Sequence, residues 1–169
     1  MMNKIPTYSF VAFSGTGKTT LLEKLVVELK TRGLRVAVIK HDAHKFEIDR
    51  EGKDSWRFTH AGADVTILAS IDKTAIMENR FVPLDTLLNK ITDVDIILTE
   101  GFKFGEWPKI AIRREATGKS FPIPVEDCFA IVTDTPEQTD KPCFDLDDIE
   151  GIANLIINDI RLKYYADER

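Results

Sequence analysis

The chain has 169 residues, 43% of them hydrophobic, with 28 acids against 23 lysines and arginines and a net charge of −5. That is enough apolar material for one well-buried domain, and too little length for two comfortable ones. The negative balance excludes the broad basic face of a phosphate-backbone binder, so no nucleic acid is expected as partner; no apolar run approaches the roughly 18 residues that span a bilayer and no apolar leader follows Met1, so no membrane is expected and the chain reads as cytoplasmic.

The first element is the β-rich run Tyr8 to Phe13, which leads into Ala12-Phe13-Ser14-Gly15-Thr16-Gly17-Lys18-Thr19-Thr20. Beyond it Leu21, Leu22, Leu25, Val26 and Leu29 recur at helical spacing until Arg32-Gly33 supplies a basic last turn and a glycine stop. A glycine-rich stretch between strand and helix predicts a phosphate-binding loop. Its backbone N–H groups line a concavity at a helix N-terminus, where the dipole also favours negative charge. Gly15 and Gly17 permit that backbone, and the nucleotide-binding candidates are Ser14, Gly15, Thr16, Gly17, Lys18, Thr19 and Thr20. Lys18 is spaced to reach the β/γ-phosphates, the Thr19 hydroxyl to ligate Mg²⁺, and Thr20 to donate on the α-phosphate side. The first position of the G-x-x-x-x-G-K-[ST] pattern is Ala12 rather than glycine. That position closes the strand and does not contact phosphate, so alanine is expected to be tolerated. A glycine-rich turn that carries a lysine by coincidence is the alternative.

Leu34 to Lys40 is predicted as a second strand, completing a β-α-β unit with parallel pairing. The polar stretch His41 to Gly52 follows it, long enough to suggest function. Lys53 to Gly62 reads as a short helix capped by Asp54 or Ser55 and stopped by Gly62. Val65 to Ala69 and Thr74 to Met77, around Ser70-Ile71-Asp72-Lys73, predict an antiparallel hairpin that extends the main sheet and leaves an edge. Such an edge can recruit a second copy of the chain, so a homodimer is expected through this region. Pro83 opens a helix with Leu84, Leu87, Leu88 and Ile91 on its apolar face. Val94 to Gly101 is a buried parallel-type strand ending in Glu100 and a glycine. Ile110 to Arg114 and Phe129 to Thr133 supply further strands. The last helix is expected to open at Asp147, with Glu150 completing a capping box and an isoleucine-rich face turned inward. Cys128 and Cys143 fit neither C-x-x-C nor a disulfide framework and read as reduced thiols.

The fold class that follows is α/β, a three-layer sandwich of the P-loop NTPase type with a mostly parallel central sheet and an antiparallel hairpin extension, residues 1–169 forming one nucleotide-binding domain. In such sheets ligands collect at the carboxyl ends of the strands, where the phosphate loop, Asp42, Glu100 and Asp134 all fall. With Lys18, Glu100 is the catalytic candidate, holding Mg²⁺ through water or polarising the attacking water; a solvent-facing acid at a strand end is the alternative. Thr19, Asp42 and Glu100 are the metal candidates, though Asp42 reads equally as a loop carboxylate capping a turn. His41 and His44 flank Asp42 and invite a transition-metal reading, against which stand the loose spacing and the lack of thiolates. Lys53, Arg57, Lys103, Lys109, Arg113 and Arg114 could neutralise an anionic ligand beyond the γ-phosphate, a solvated face being the alternative; Lys53, Lys103 and Lys109 are the narrower candidates. No N-K-x-D motif is present; Asp134, ending a late strand, is the candidate for accepting from guanine, with turn capping the competing role.

The stretches Phe13 to Leu22, Lys40-His41-Asp42-Ala43-His44, Gly52-Lys53-Asp54-Ser55 with Ala61-Gly62-Ala63, and Thr99-Glu100-Gly101-Phe102-Lys103 followed by Pro108-Lys109-Ile110 together resemble the molybdopterin-guanine dinucleotide biosynthesis adaptor proteins, the MobB family. A second histidine is common in that family where this chain has Lys45. The resemblance implies a GTP-binding homodimer with weak GTPase activity. It also implies a partner, the nucleotidyltransferase that attaches GMP to molybdopterin in molybdenum cofactor biosynthesis, with GTP and Mg²⁺ as cofactors. From the residues alone three rivals stand: a small-molecule P-loop kinase, with Arg113 to Lys119 as its short lid, a metal-delivery GTPase using His41 and His44, and a scaffold in which nucleotide binding is purely structural. No arginine finger or water-orienting glutamine is assignable in cis, so slow turnover without a partner is expected.

Overall fold

In the computed structural model, which describes residues 5–41 and 46–164, the elements run in chain order β1 (Thr7–Val11), α1 (Lys18–Thr31), β2 (Val36–Lys40), α2 (Asp54–His60), β3 (Val65–Ala69), β4 (Thr74–Glu78), α3 (Leu84–Lys90), β5 (Ile96–Glu100), β6 (Lys109–Arg113), β7 (Ala130–Thr133), β8 (Cys143–Phe144) and α4 (Ile149–Tyr164). They sort into two compact units, one of residues 1–41 and 91–169 and one of residues 42–90.

The larger unit is built on a six-stranded sheet in the order β2-β5-β1-β6-β7-β8, with every neighbouring pair parallel. The α1 crossover makes β1 and β2 parallel as expected, yet they do not touch, because β5 lies between them. Ile96, Ile97 and Leu98 are fully buried, and a strand that is apolar on both faces belongs in the middle of a sheet. Side chains alternate across the sheet with period two. Tyr8, Phe10, Ile110, Ile112, Ala130 and Val132 face a cluster completed by Leu21, Leu25 and Leu29 of α1 and Ile152, Ile156 and Ile160 of α4. On the opposite side Val11, Ala111 and Ile131 meet Cys128, Phe121, Ile123 and Val125 from the β6–β7 connection. Burial pushes the Cys128 thiol up to about 11, which keeps it protonated and unreactive near neutral pH.

The smaller unit pairs β3 with β4 antiparallel, Val65 opposite Glu78 and Ala69 opposite Thr74. At its turn the Ser70 hydroxyl donates to Asp72 at 2.6 Å and accepts from the Lys73 N–H at 3.1 Å. The hairpin therefore forms where the alternation put it, but as a two-stranded sheet of its own and not as an extension of the parallel one. Helix α2 is tied to it by a hydroxyl pair, Thr59 and Thr66, at 3.0 Å.

Both helix caps fall on residues other than those expected. Lys53, not Asp54 or Ser55, precedes α2, and Asp54 sits inside the first turn, favourably placed against the helix dipole. Before α4 the cap is Asp148, whose Oδ1 accepts from the Gly151 N–H at 2.9 Å. Asp147 instead binds Lys24 of α1 at 2.6 Å, and that ammonium holds its carboxyl below the usual range. The two-residue strand β8 had no readable signal, being too short for alternation to show.

Leu25 is fully buried between sheet and α4. Leu25→Ala is expected to cost about 2–5 kcal/mol, lowering the melting temperature by roughly 2–4 °C per kcal/mol for a chain of this size; urea titration followed by circular dichroism measures it directly. A loss below about 1 kcal/mol would contradict this packing.

Candidate functional site

The loop after β1 adopts the backbone its glycines allow. Gly15 and Gly17 have φ of 86° and 90°, a region where a side chain is strained, and Gly17 is the N-cap of α1. Thr16 is buried and its hydroxyl donates to the Phe13 carbonyl at 3.0 Å, closing the loop on itself. Lys18 and Thr19 open the helix. Their side chains meet at one atom: Lys18 Nζ lies 3.4 Å from Glu100 Oε1, and the Thr19 hydroxyl donates to the same oxygen at 3.2 Å.

Glu100 reaches that position because β5 pairs with β1 in a register that sets Phe10 opposite Glu100, and with β2 in one that sets Lys40 opposite it. Two residues with positive φ follow, Gly101 at 98° and Phe102 at 57°. A non-glycine residue in that region is uncommon and marks a turn held by its surroundings. Here the Gly101 N–H is fixed on the Phe10 carbonyl at 2.9 Å, and the Phe102 ring meets His41 edge-on at 4.9 Å. The His41 N–H in turn donates to the Glu100 carbonyl at 3.0 Å. Asp42 and His44 lie outside the described residues.

Asp134 follows β7 and is exposed; its Oδ1 accepts from the Glu115 N–H at 2.8 Å, so the carboxylate caps the turn after β6. Ser14 and Thr20 are exposed at the loop, and the Ser14 carbonyl accepts from Lys119 Nζ at 3.3 Å. Of the anion candidates, Lys103 Nζ lies 4.9 Å from the Phe104 ring centre and Lys109 Nζ donates to the Trp107 carbonyl at 3.5 Å. Lys53 belongs to the smaller unit, where it precedes α2. Arg114, expected in a short lid or among scattered cations available to an anionic ligand, touches the phosphate loop directly. Arg114 Nε donates to the Thr16 carbonyl at 3.1 Å, a contact spanning 98 positions that no local spacing reveals.

Chemically, the arrangement brings an ammonium, a hydroxyl and a carboxylate together at the N-terminus of a helix whose first turn carries no acid. Anions are favoured there, and an oxygen-only pair of hydroxyl and carboxylate suits a hard divalent cation.

Comparison with known proteins places the chain. The family profile described as molybdopterin guanine dinucleotide synthesis protein B, MobB, matches residues 7–134. A molybdopterin-guanine dinucleotide biosynthesis adapter protein of Haemophilus influenzae is 43% identical over 162 residues, 94% of this chain and 91% of the relative. Its counterpart in Escherichia coli is 38% identical over 161 residues, 90% of this chain and 92% of that protein. The crystal structure of Bacillus subtilis MobB aligns over 91% of this chain and 97% of its own, with 28% identity and a TM-score of 0.74. Phosphate loop, parallel sheet and hairpin thus occur together in a chain that belongs to the MobB family.

Proposed function

We propose that this protein is an adapter of molybdopterin guanine dinucleotide biosynthesis that binds Mg²⁺-GTP and hydrolyses it slowly, working beside a nucleotidyltransferase partner. The adapter role rests on the family and on relatives of that name. The nucleotide reading rests on one observation, the convergence of Lys18 and Thr19 on Glu100 Oε1 after a loop whose Gly15 and Gly17 have positive φ. In this reading Ser14 to Gly17 supply N–H groups to the phosphates, Lys18 neutralises the β/γ side, and Thr20 serves the α-phosphate. Thr19 and Glu100 fit Mg²⁺, which prefers few protein oxygens and keeps its remaining positions for water and phosphate. The metal would supply charge neutralisation at the phosphates. Glu100 holds a water in place, and Asp134 offers its second oxygen to a guanine edge while the first caps Glu115.

The proposed homodimer uses the hairpin. Ile67 and Ile76 face each other across β3 and β4 and are both exposed, as are Val65 and Leu68. An apolar strand pair left in water is a site for a second chain. Among the described residues no helix is long and apolar enough to cross a membrane.

Three measurements test these assignments. Mg²⁺-GTP at a hundred times its dissociation constant is expected to add roughly 2.7 kcal/mol of stability, lost in Lys18→Ala; equal or greater stabilisation by ATP would replace the guanine reading with a small-molecule kinase. In Glu100→Gln, GTP is expected to bind still, but with its Mg²⁺ enhancement and hydrolysis reduced at least about tenfold, which titration with and without chelator and a phosphate-release assay detect. Ile67→Lys is expected to shift the protein from dimer to monomer by light scattering without altering its circular dichroism; an unchanged mass would remove the hairpin from the interface.

A further inference from the structure

The connection between β6 and β7 carries Arg114 and Lys119 to the outer side of the phosphate loop. Arg114 Nε donates to the Thr16 carbonyl at 3.1 Å and Lys119 Nζ to the Ser14 carbonyl at 3.3 Å. Each carbonyl shares its peptide unit with the N–H of the next residue, and those residues are Gly17 and Gly15, the two loop glycines with positive φ. A cation on the carbonyl polarises the peptide and strengthens the N–H on its far side as a donor. The neighbouring Arg113 is neutralised by Glu137. Arg114 forms no ion pair with a carboxylate among the described residues; Asp147 feels its field but is engaged by Lys24. The terminal amino group of Arg114 instead stands 3.2 Å from where a Cβ on Gly17 would be, at the cap of α1. A half-buried guanidinium without an ion-pair partner among the described residues, set against Gly17 at the positive end of a helix, is unfavourable until an anion arrives.

We infer that Arg114, assisted by Lys119, serves the phosphate site in cis, bracing the loop from outside through the Thr16 carbonyl and presenting its free guanidinium end to a phosphate oxygen of the bound nucleotide. Asp134 is a positioning residue for this arm, since its carboxylate fixes the Glu115 N–H directly after Arg114. The inference rests on the nucleotide reading above and adds to it a second cation that the loop pattern does not contain.

Calorimetric titration of the full chain with Mg²⁺-tripolyphosphate and with Mg²⁺-GTP tests it, comparing the natural protein with Lys18→Ala, Arg114→Ala and Arg114→Gln. Glutamine keeps a neutral donor for the Thr16 carbonyl, so it separates loss of charge from loss of the brace. Both Arg114 variants are expected to weaken both ligands by a similar factor, about ten- to a hundredfold, as a lost charge-assisted hydrogen bond to phosphate would. Weakening of GTP alone would overturn the inference in favour of a nucleoside contact, and unchanged affinity for both would overturn it outright. Should Lys18→Ala bind both ligands as the natural protein does, the nucleotide reading itself falls, and the inference with it.

Discussion

One carboxylate oxygen organises the larger unit. Glu100 Oε1 takes both the ammonium of Lys18 and the hydroxyl of Thr19, and none of the three reaches that point without the sheet. Lys18 and Thr19 are set by the turn of Gly17 into α1, while Glu100 is set by β5 lying between β1 and β2. The burial of Ile96, Ile97 and Leu98 drives that central placement. Hydrophobic packing in the strand thus determines where a charge stands at its end. With the Glu100 side chain only 12% exposed, the contact is shielded from the screening that makes surface ion pairs weak.

The two units divide their chemistry. Charged and hydroxyl groups concentrate at the carboxyl edge of the parallel sheet, whereas the hairpin unit exposes isoleucine, valine and leucine on short strands and holds its own shape with polar ties such as Thr59 to Thr66 and Asn79 to the Ala63 carbonyl at 2.6 Å. A protein that acts through others needs such a surface as much as it needs a ligand site. In the proposed adapter, nucleotide binding and association draw on separate parts of the chain.

Much of this was legible because local rules governed it. The phosphate loop followed from glycine spacing between an apolar run and an amphipathic helix, and Glu100 from its place at the end of a continuous apolar strand. The hairpin followed from alternation around a polar turn. What escaped was set by long-range competition. Strand order depended on which strand was most apolar on both faces, and the cap of α4 on Lys24 drawing Asp147 away. Whether the hairpin joined the parallel sheet was equally a matter of tertiary pairing. Arg114 read as a lid residue or a scattered cation, and its contact with the Thr16 carbonyl was hidden because that partner lies 98 residues away. For Asp134 both the place at a strand end and a turn-capping role were readable, but not that the capped group would be the Glu115 N–H.

One residue before Glu100, the interior of the sheet contains a polar detail. Ser9 and Thr99 are opposite one another on β1 and β5, both fully buried, and their hydroxyls bond at 2.8 Å. Because side chains alternate with period two, the apolar pattern alone does not distinguish the native alignment of β5 on β1 from one shifted by two residues. A slip of two residues would keep the apolar face inward yet set Ser9 against Ile97, stranding two hydroxyls without partners at a cost of about 1–3 kcal/mol each. The same slip would carry Glu100 some 7 Å along the strand, out of reach of Lys18. The hydroxyl pair therefore acts as a proofreading key for strand alignment, so that a chain able to close its core has, by the same step, put its acid beside its lysine.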